Sequence, residues 1–309
     1  MAKYLITGGA GFIGSNIARK LLALGHEVVI LDDFSTGKRE NLKDLGSDVT
    51  VIEGDICDIS TVKQAVAGAD YVLHHAAVAS VPRSIEDPVR TNEVNVDGTL
   101  NCLLGARDEG VKRFVFAASS SAYGDSEELP KHEAMRPNPL SPYGISKLVG
   151  EMYCKVFFDV YGLETVSLRY FNIFGPYQDP ASQYAAVVPI FITKLLKGES
   201  PVVYGDGEQS RDFTYIDNAV EANLLATTSQ KAPGRVINVA CGSRFTLNDL
   251  LGRLKDLIGT ATPATYANPR AGDILHSQGD VSLARDLLGY DPKITFEQGL
   301  SKTVEWFRH

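Results

Sequence analysis

The feature that most constrains this chain is a loop near its start, Thr7-Gly8-Gly9-Ala10-Gly11-Phe12-Ile13-Gly14, with glycines at positions 8, 11 and 14. It follows an apolar run, Lys3–Thr7, that reads as a β-strand. It opens a segment, Phe12–Leu24, with helical periodicity that ends at Gly25. Glycine takes positive φ in such a turn and lets the backbone come close to a ligand. The helix N-terminus then offers free N–H groups and a positive dipole end to an anion such as a pyrophosphate. Asp32, 18 residues past Gly14, ends the second strand pattern, Val28–Leu31. A carboxylate there accepts hydrogen bonds from an adenosine ribose and repels a 2′-phosphate, favouring NAD over NADP. The nearby cations Lys38 and Arg39 keep NADP open. Asp55-Ile56, after the strand pattern Val49–Glu53, stands where it could clamp an adenine edge, although Asp is also common in turns.

Further strands at Tyr71–His74, Arg113–Ala117 and Thr165–Tyr170 alternate with long helical patterns at Pro88–Arg107 and from Ser141 to about Tyr161. Continuous apolar strands alternating with helices imply α/β architecture: a doubly wound parallel sheet covered on both faces. After residue 172 Gly and Pro punctuate the chain. Helical patterns at about 187–197, 217–228, 246–258 and 297–307 alternate with short strands there. We expect residues 1–172 to form the dinucleotide domain. Residues 173–309 are expected to form a smaller mixed α/β substrate lobe, interleaved with the first.

The chain has 309 residues, 44% hydrophobic and 22% charged, which fits a folded globular protein and excludes disorder as the main state. A net charge of −8 argues against nucleic acid as a general partner. No apolar run reaches the ~18 residues of a membrane span, and no leader pattern is seen, so a cytoplasmic protein is expected. Cys57, Cys102, Cys154 and Cys241 are scattered without metal-ligand spacing, and His74-His75 has no third ligand nearby in sequence. We expect reduced thiols and no metal.

Tyr143-Gly144-Ile145-Ser146-Lys147 lies near the start of a helical pattern, so Tyr143 and Lys147 share a face at i and i+4. A phenol is a poor base at neutral pH, but a nearby ammonium and a cationic nicotinamide stabilise phenolate. Ser119-Ser120-Ser121 follows the fifth strand, at the sheet edge where open α/β folds place ligands. A hydroxyl there can share a reacting alcohol's proton with the phenolate. The plain alternative is an exposed Tyr, a solvated Lys and a Ser-rich turn. Their joint occurrence after a dinucleotide loop argues against it.

The chain resembles the extended short-chain dehydrogenase/reductases, and within them the nucleotide-sugar epimerases, closest to the UDP-N-acetylglucosamine and UDP-glucose 4-epimerases. The resemblance runs nearly end to end: Thr7–Gly14, Asn95-Val96-Asp97-Gly98-Thr99, Ser119–Gly124, Tyr143–Lys147, Arg169–Gly175, Arg211–Asp217 and Arg270–Asp273. It implies NAD held through the cycle, a UDP-sugar substrate and a Ser/Tyr/Lys site. On the cofactor side it adds Gly8, Gly11, Phe12, Ile13, Ala76 and Asn95, and it places Tyr170 near the nicotinamide amide. Counting back from Tyr123-Gly124 makes Ser119 the catalytic hydroxyl, with Ser120 the alternative. Ser120 and Ser121 stand where 4,6-dehydratases carry an Asp-Glu pair, so the acids for water elimination are missing. On the substrate side it implies Arg211 and Arg270 at the pyrophosphate, Asn172 reaching it, and Tyr204 against uracil. Val188, Ser80, Ser120, Asp273 and Ser277 complete the substrate set. A core or interface role for Tyr204 stays open.

The resemblance implies a UDP-hexose 4-epimerase. Its rivals are a UDP-glucuronate epimerase or decarboxylase, and a non-catalytic NAD(H)-sensing regulator, which the intact Tyr143/Lys147 pair argues against. In related epimerases the position of Ser277 lies beside the sugar C2 substituent; a Tyr there fills the space an acetamido group needs. Ser277 therefore points to UDP-GlcNAc and UDP-GalNAc, with dual use of plain hexoses as the alternative. The resemblance also implies a homodimer through a four-helix bundle. Candidate stripes are Leu100, Leu103 and Leu104 on one helical pattern and Met152, Val156 and Val160 on the other, unless both stripes only cover the sheet.

Overall fold

The computed structural model describes residues 1–180, 186–269 and 274–308. Six strands of the first half are β1 (Lys3–Thr7), β2 (Glu27–Asp32), β3 (Val49–Glu53), β4 (Tyr71–His74), β5 (Arg113–Ser119) and β6 (Thr165–Tyr170). Four short strands follow: β7 (Ile173–Phe174), β8 (Val202–Tyr204), β9 (Ser210–Arg211) and β10 (Thr214–Tyr215). After them come β11 (Arg235–Val239), β12 (Phe245–Thr246) and β13 (Thr265–Ala267). The main sheet has the order β11-β6-β5-β4-β1-β2-β3, and every pairing in it is parallel. Strand order reverses between β1 and β4, so the crevice beyond their carboxyl ends is the natural ligand position. The seventh strand, β11, comes from beyond residue 173 and pairs with β6 from Arg235↔Val166 to Val239↔Tyr170.

The helices are α1 (Phe12–Ala23), α2 (Ile59–Val66), α3 (Val81–Glu86), α4 (Pro88–Asn92), α5 (Thr99–Glu109) and α6 (Pro142–Tyr161). They continue with α7 (Val187–Leu196), α8 (Ile216–Thr228), α9 (Leu247–Ile258), α10 (Ser282–Leu288) and α11 (Phe296–Arg308). Helices α1 and α8 contribute Ile17, Leu21, Ala219 and Ala222 to the core on one face of the sheet. Helices α2, α5 and α6 cover the other with Val62, Leu103, Cys154 and Phe157. The long helix expected over Pro88–Arg107 forms and runs on to Glu109, with a π-helical segment, Glu93–Gly98, between α4 and α5. One extra residue in that turn brings Asn95 inward, where its side chain bonds Val78 and Ser146.

Helix α6 begins as its sequence dictates. Ser141 accepts the Gly144 N–H at 3.1 Å, and Pro142 fills the first turn. Its buried face runs through Lys147, Gly150, Glu151, Cys154 and Phe157. Gly150 permits the close approach to β5: a Cβ there would sit 2.3 Å from Cζ of Phe116. That approach carries Lys147, one turn before Gly150, and Glu151, just after it, into the interior.

Candidate active site

The glycine loop divides its labour. Gly8 has φ +68°, and a Cβ on it would meet the Ala76 nitrogen at 2.6 Å; a Cβ on Gly14 would meet the Gly8 oxygen at 2.4 Å. The fold itself demands both. Gly11 has φ −76° and its Cβ would find only the Gly8 oxygen, at 3.2 Å. The protein leaves that space open, and α1 starts there with no side-chain cap and no acid in its first turn. Phe12 and Ile13 supply the first N–H groups of this bare terminus, which suits a pyrophosphate. Asp32 is buried; its carboxylate accepts the Ala10 N–H at 2.8 Å and the Phe34 N–H at 2.9 Å. Burial pushes its pKa up, against those two bonds. The residues present fit a dinucleotide. At the third strand, Asp55 accepts the Cys57 N–H at 2.8 Å and pairs with Arg90 at 2.6 Å. Burial raises its carboxyl, but Arg90 and Cys57 pull it below the usual range. Ile56 is buried beside it.

A directed chain of hydrogen bonds anchors the crevice. The Ala76 N–H donates to Thr7 Oγ1 at 3.2 Å, and Thr7 lies 2.6 Å from His74 Nδ1. His74 Nε2 lies 2.9 Å from Thr99 Oγ1, which donates to the Asn95 carbonyl at 2.7 Å. Burial holds the His74 pKa well below its ordinary value, so the ring is neutral and serves as a structural link. His75 turns the other way, to the Tyr170 hydroxyl at 3.0 Å. Tyr170, expected at the nicotinamide, is 9% exposed and also bonds Asn223. The two histidines therefore do not converge, and among the described residues no group of three His, Cys, Asp or Glu side chains is placed to hold a metal.

Ser119 ends β5 with its side chain accepting the Ser121 N–H at 3.1 Å. Burial raises the Tyr143 hydroxyl, and the neighbouring Ser119 side chain pulls it back. Of the two candidate serines, Ser119 is thus the one at Tyr143; Ser120 opens the short turn Ser120–Tyr123. Lys147 is 3% exposed, and burial lowers its pKa to about 8. Its Nζ lies 4.9 Å from the centre of the Phe116 ring.

A cavity of about 390 Å³ lies in the C-terminal half, and four residues expected at the substrate line it together: Asn172, Val188, Tyr204 and Arg211. Arg211 donates to the carbonyls of Ser210 and Leu275 at 3.0 and 3.2 Å. Phe191, Lys194, Gln209 and Phe213 also line the cavity. None of the four stands in a motif of its own, so the sequence does not single them out. Ser277 is buried beside Ser210, whose carbonyl accepts its N–H at 3.0 Å, and Ser80 caps α3 by accepting the Arg83 N–H at 3.3 Å. Arg270 and Asp273 lie outside the described residues.

The expected dimer stripe is corrected in part. Leu103 is fully buried, and Leu100 and Leu104 pack against the α2–α5 core. The exposed apolar side chains instead come from α3 and α4 (Val81, Ile85, Val89) and from α6 (Ile145, Met152, Val156, Val160).

Comparison with known proteins agrees with this geometry. The NAD dependent epimerase/dehydratase family matches residues 4–240. The structure superposes at TM-score 0.95 and 41% identity on a UDP-N-acetylglucosamine 4-epimerase from Methanobrevibacter ruminantium, solved in complex with UDP-N-acetylmuramic acid, covering 99% of this chain and 98% of that one. It superposes at TM-score 0.91 and 39% identity on the UDP-glucose 4-epimerase of Thermus thermophilus in complex with NAD, covering 99% of each chain. A UDP-N-acetyl-alpha-D-glucosaminuronate decarboxylase of Bacillus cytotoxicus is 34% identical over 315 residues, 98% of this chain and 97% of its own. With a glycine loop, a strand-end acid and a Ser/Tyr/Lys cluster on one parallel sheet, this chain belongs to the NAD dependent epimerase/dehydratase family.

Proposed function

We propose that the chain is a UDP-hexose 4-epimerase that inverts C4 through a transient 4-keto sugar, acting on UDP-GlcNAc and UDP-GalNAc and, less well, on UDP-Glc and UDP-Gal. The observation that carries this reading is the pairing of Tyr143 and Lys147 one turn apart on α6, with Ser119 beside Tyr143 at a strand end where positions 120 and 121 are serines. Tyr143 takes the proton of the C4 hydroxyl, Ser119 shares it, and Lys147 stabilises the phenolate from one helical turn away. Bound NAD supplies the hydride acceptor and donor. Gly8, Gly11 and the Phe12 and Ile13 amides would hold its pyrophosphate, and Asp32 its adenosine ribose. Asp55, Ile56, Ala76, Asn95 and Tyr170 complete its surroundings. The cavity lined by Asn172, Tyr204 and Arg211 takes the nucleotide diphosphate, where arginine's planar fork suits phosphate oxygens. Without an acid at 120 or 121, the intermediate is returned rather than dehydrated.

We also infer a homodimer, two copies joining through the apolar faces of α3, α4 and α6. The experiment that tests the activity is product analysis by NMR with UDP-GlcNAc, UDP-Glc and UDP-GlcA in parallel. Conversion of UDP-GlcNAc to UDP-GalNAc is expected. Carbon dioxide release from UDP-GlcA, with no C4 inversion of the neutral sugars, would favour the rival decarboxylase reading.

A further inference from the structure

Behind Lys147 the interior holds a second pair of charges. Glu151 lies one turn further along α6, so it shares the face of Lys147. Both its carboxylate oxygens accept from Arg169 on β6, at 2.8 and 2.7 Å, and each side chain is 4% exposed. The Arg169 guanidinium lies 4.6 Å from the centre of the Tyr123 ring. Tyr123 belongs to the turn that follows Ser119, and its hydroxyl donates to Asn238 on β11 at 2.7 Å. The pair thus spans the helix that carries Tyr143 and Lys147, the strand beneath it, and the segment that carries Ser119.

Burying two charges is costly, and replacing such a pair by apolar groups is often neutral or stabilising. Stability alone is therefore a weak reason for it. Its position suggests another. A lone carboxylate beside Lys147 would draw the ammonium away from Tyr143, and a lone guanidinium would expel the ammonium's proton. Closed on each other, they oppose, and what reaches Lys147 is an upward pull from Glu151 that ranks behind burial.

We propose that Glu151 and Arg169 are positioning residues for the reaction: their closed pair fixes α6 against the segment carrying Ser119 and leaves the Lys147 charge undivided for Tyr143. The other ionisable groups facing Lys147 are quiet. His74 and His75 are kept neutral by burial, His75 with its pKa lowered to about 4, and burial pushes the Cys154 thiol up to about 12. Among the described residues, Tyr143, Glu151 and, through it, Arg169 remain to tune the site, and Arg169 also faces the half-buried carboxyl of Glu133, which burial raises and Arg169 pulls back.

The inference rests on the roles proposed above for Tyr143 and Lys147. Its test is the pH profile of kcat and kcat/KM for UDP-GlcNAc epimerisation in NAD-loaded protein. Glu151→Gln leaves the Arg169 cation without its bidentate partner and should move both limbs of the profile to lower pH, by about one unit. Arg169→Met leaves a bare anion and should move both limbs up by a similar amount. Glu151→Gln/Arg169→Met removes both charges without stranding either, so it keeps the fold where a single variant fails. Its limbs should stay in place while kcat falls at least ~10-fold for want of alignment. Arg169→Lys, which keeps the charge but loses the fork, should also leave the limbs in place. Tyrosinate absorbance titrated with and without Tyr143→Phe reads the same shifts independently of turnover. Coincident limbs in folded single variants, or a fully active double variant, would overturn the proposal. An active Tyr143→Phe enzyme would instead overturn the base assignment and leave the pair's alignment to be read from the double variant.

Discussion

At the scale of single residues, Tyr143 and Gly11 give the sharpest tests. Tyr143→Phe should reduce turnover by ~10²–10⁴, the range for general acid–base catalysis, while the protein folds and retains NAD. Steady-state rates and the absorbance of bound nicotinamide measure this together; near-normal activity in a clean preparation would remove Tyr143 from the base role. Gly11→Ala separates ligand demand from fold demand. The position has an ordinary φ of −76° and only one neighbour, at 3.2 Å, so NAD-free stability should change by no more than about 1 kcal/mol. NAD affinity should fall roughly 10-fold or more, because the methyl group enters the space left for pyrophosphate. Equal losses in melting temperature and affinity would count against that division. At Ser277, Tyr should abolish use of the N-acetylated sugars and spare some activity on UDP-Gal. Turnover of UDP-Gal but not UDP-GalNAc by the parent enzyme would show the pocket has been misread.

At the scale of elements, most strands and helices announced themselves. Lys3–Thr7 and Thr165–Tyr170 form with the expected bounds, since a short apolar run beside glycine or a polar turn admits few other folds. The π-helical turn inside the helix from Pro88 to Glu109 did not show itself. Its residues keep an apolar rhythm, and the π-turn comes from where Thr99, His74 and Asn95 must meet. Periodicity carries no trace of that tertiary demand. The same gap explains the leucines: Leu103 reads as a stripe but faces α2, whereas Ile85 and Val89, at 63% and 67% exposed, lie on the outer face. The site was legible where chemistry is local, as in Tyr143 and Lys147 four residues apart. The Glu151–Arg169 pair was not, since its partners are 18 residues apart and meet only when α6 packs on β6. The dimer belongs to this scale. Val156→Glu with Val160→Glu puts two charges on the proposed interface and should leave a folded monomer by light scattering at micromolar concentration. A parent protein that is already monomeric there would exclude the interface.

At the scale of the whole molecule, the sheet is completed from outside its own half of the sequence. Arg113, 3% exposed at the start of β5, donates to the carbonyls of Ala226 and Ser229 at 2.8 Å each. Strand β11 supplies the hydrogen bonds along the outer edge of β6. A fragment ending at residue 172 loses all of these, together with the cover of α8. It should show no cooperative thermal unfolding by circular dichroism, and cooperative melting of that fragment would contradict this account.

That late-arriving strand also sets a timetable for the chain as it is made. Some 65 residues separate the end of β6 from the start of β11. At ~5–20 residues per second, the interval is about 3 to 13 s. During it the nascent sheet carries the six-residue strand Thr165–Tyr170 with one side unpaired, an open template for another growing chain. Polysomes crowd such chains together. Synthesis slowed while β6 has left the ribosome and β11 has not would lengthen the exposure and favour aggregation, whereas the same delay once β11 has emerged would find the edge already closed.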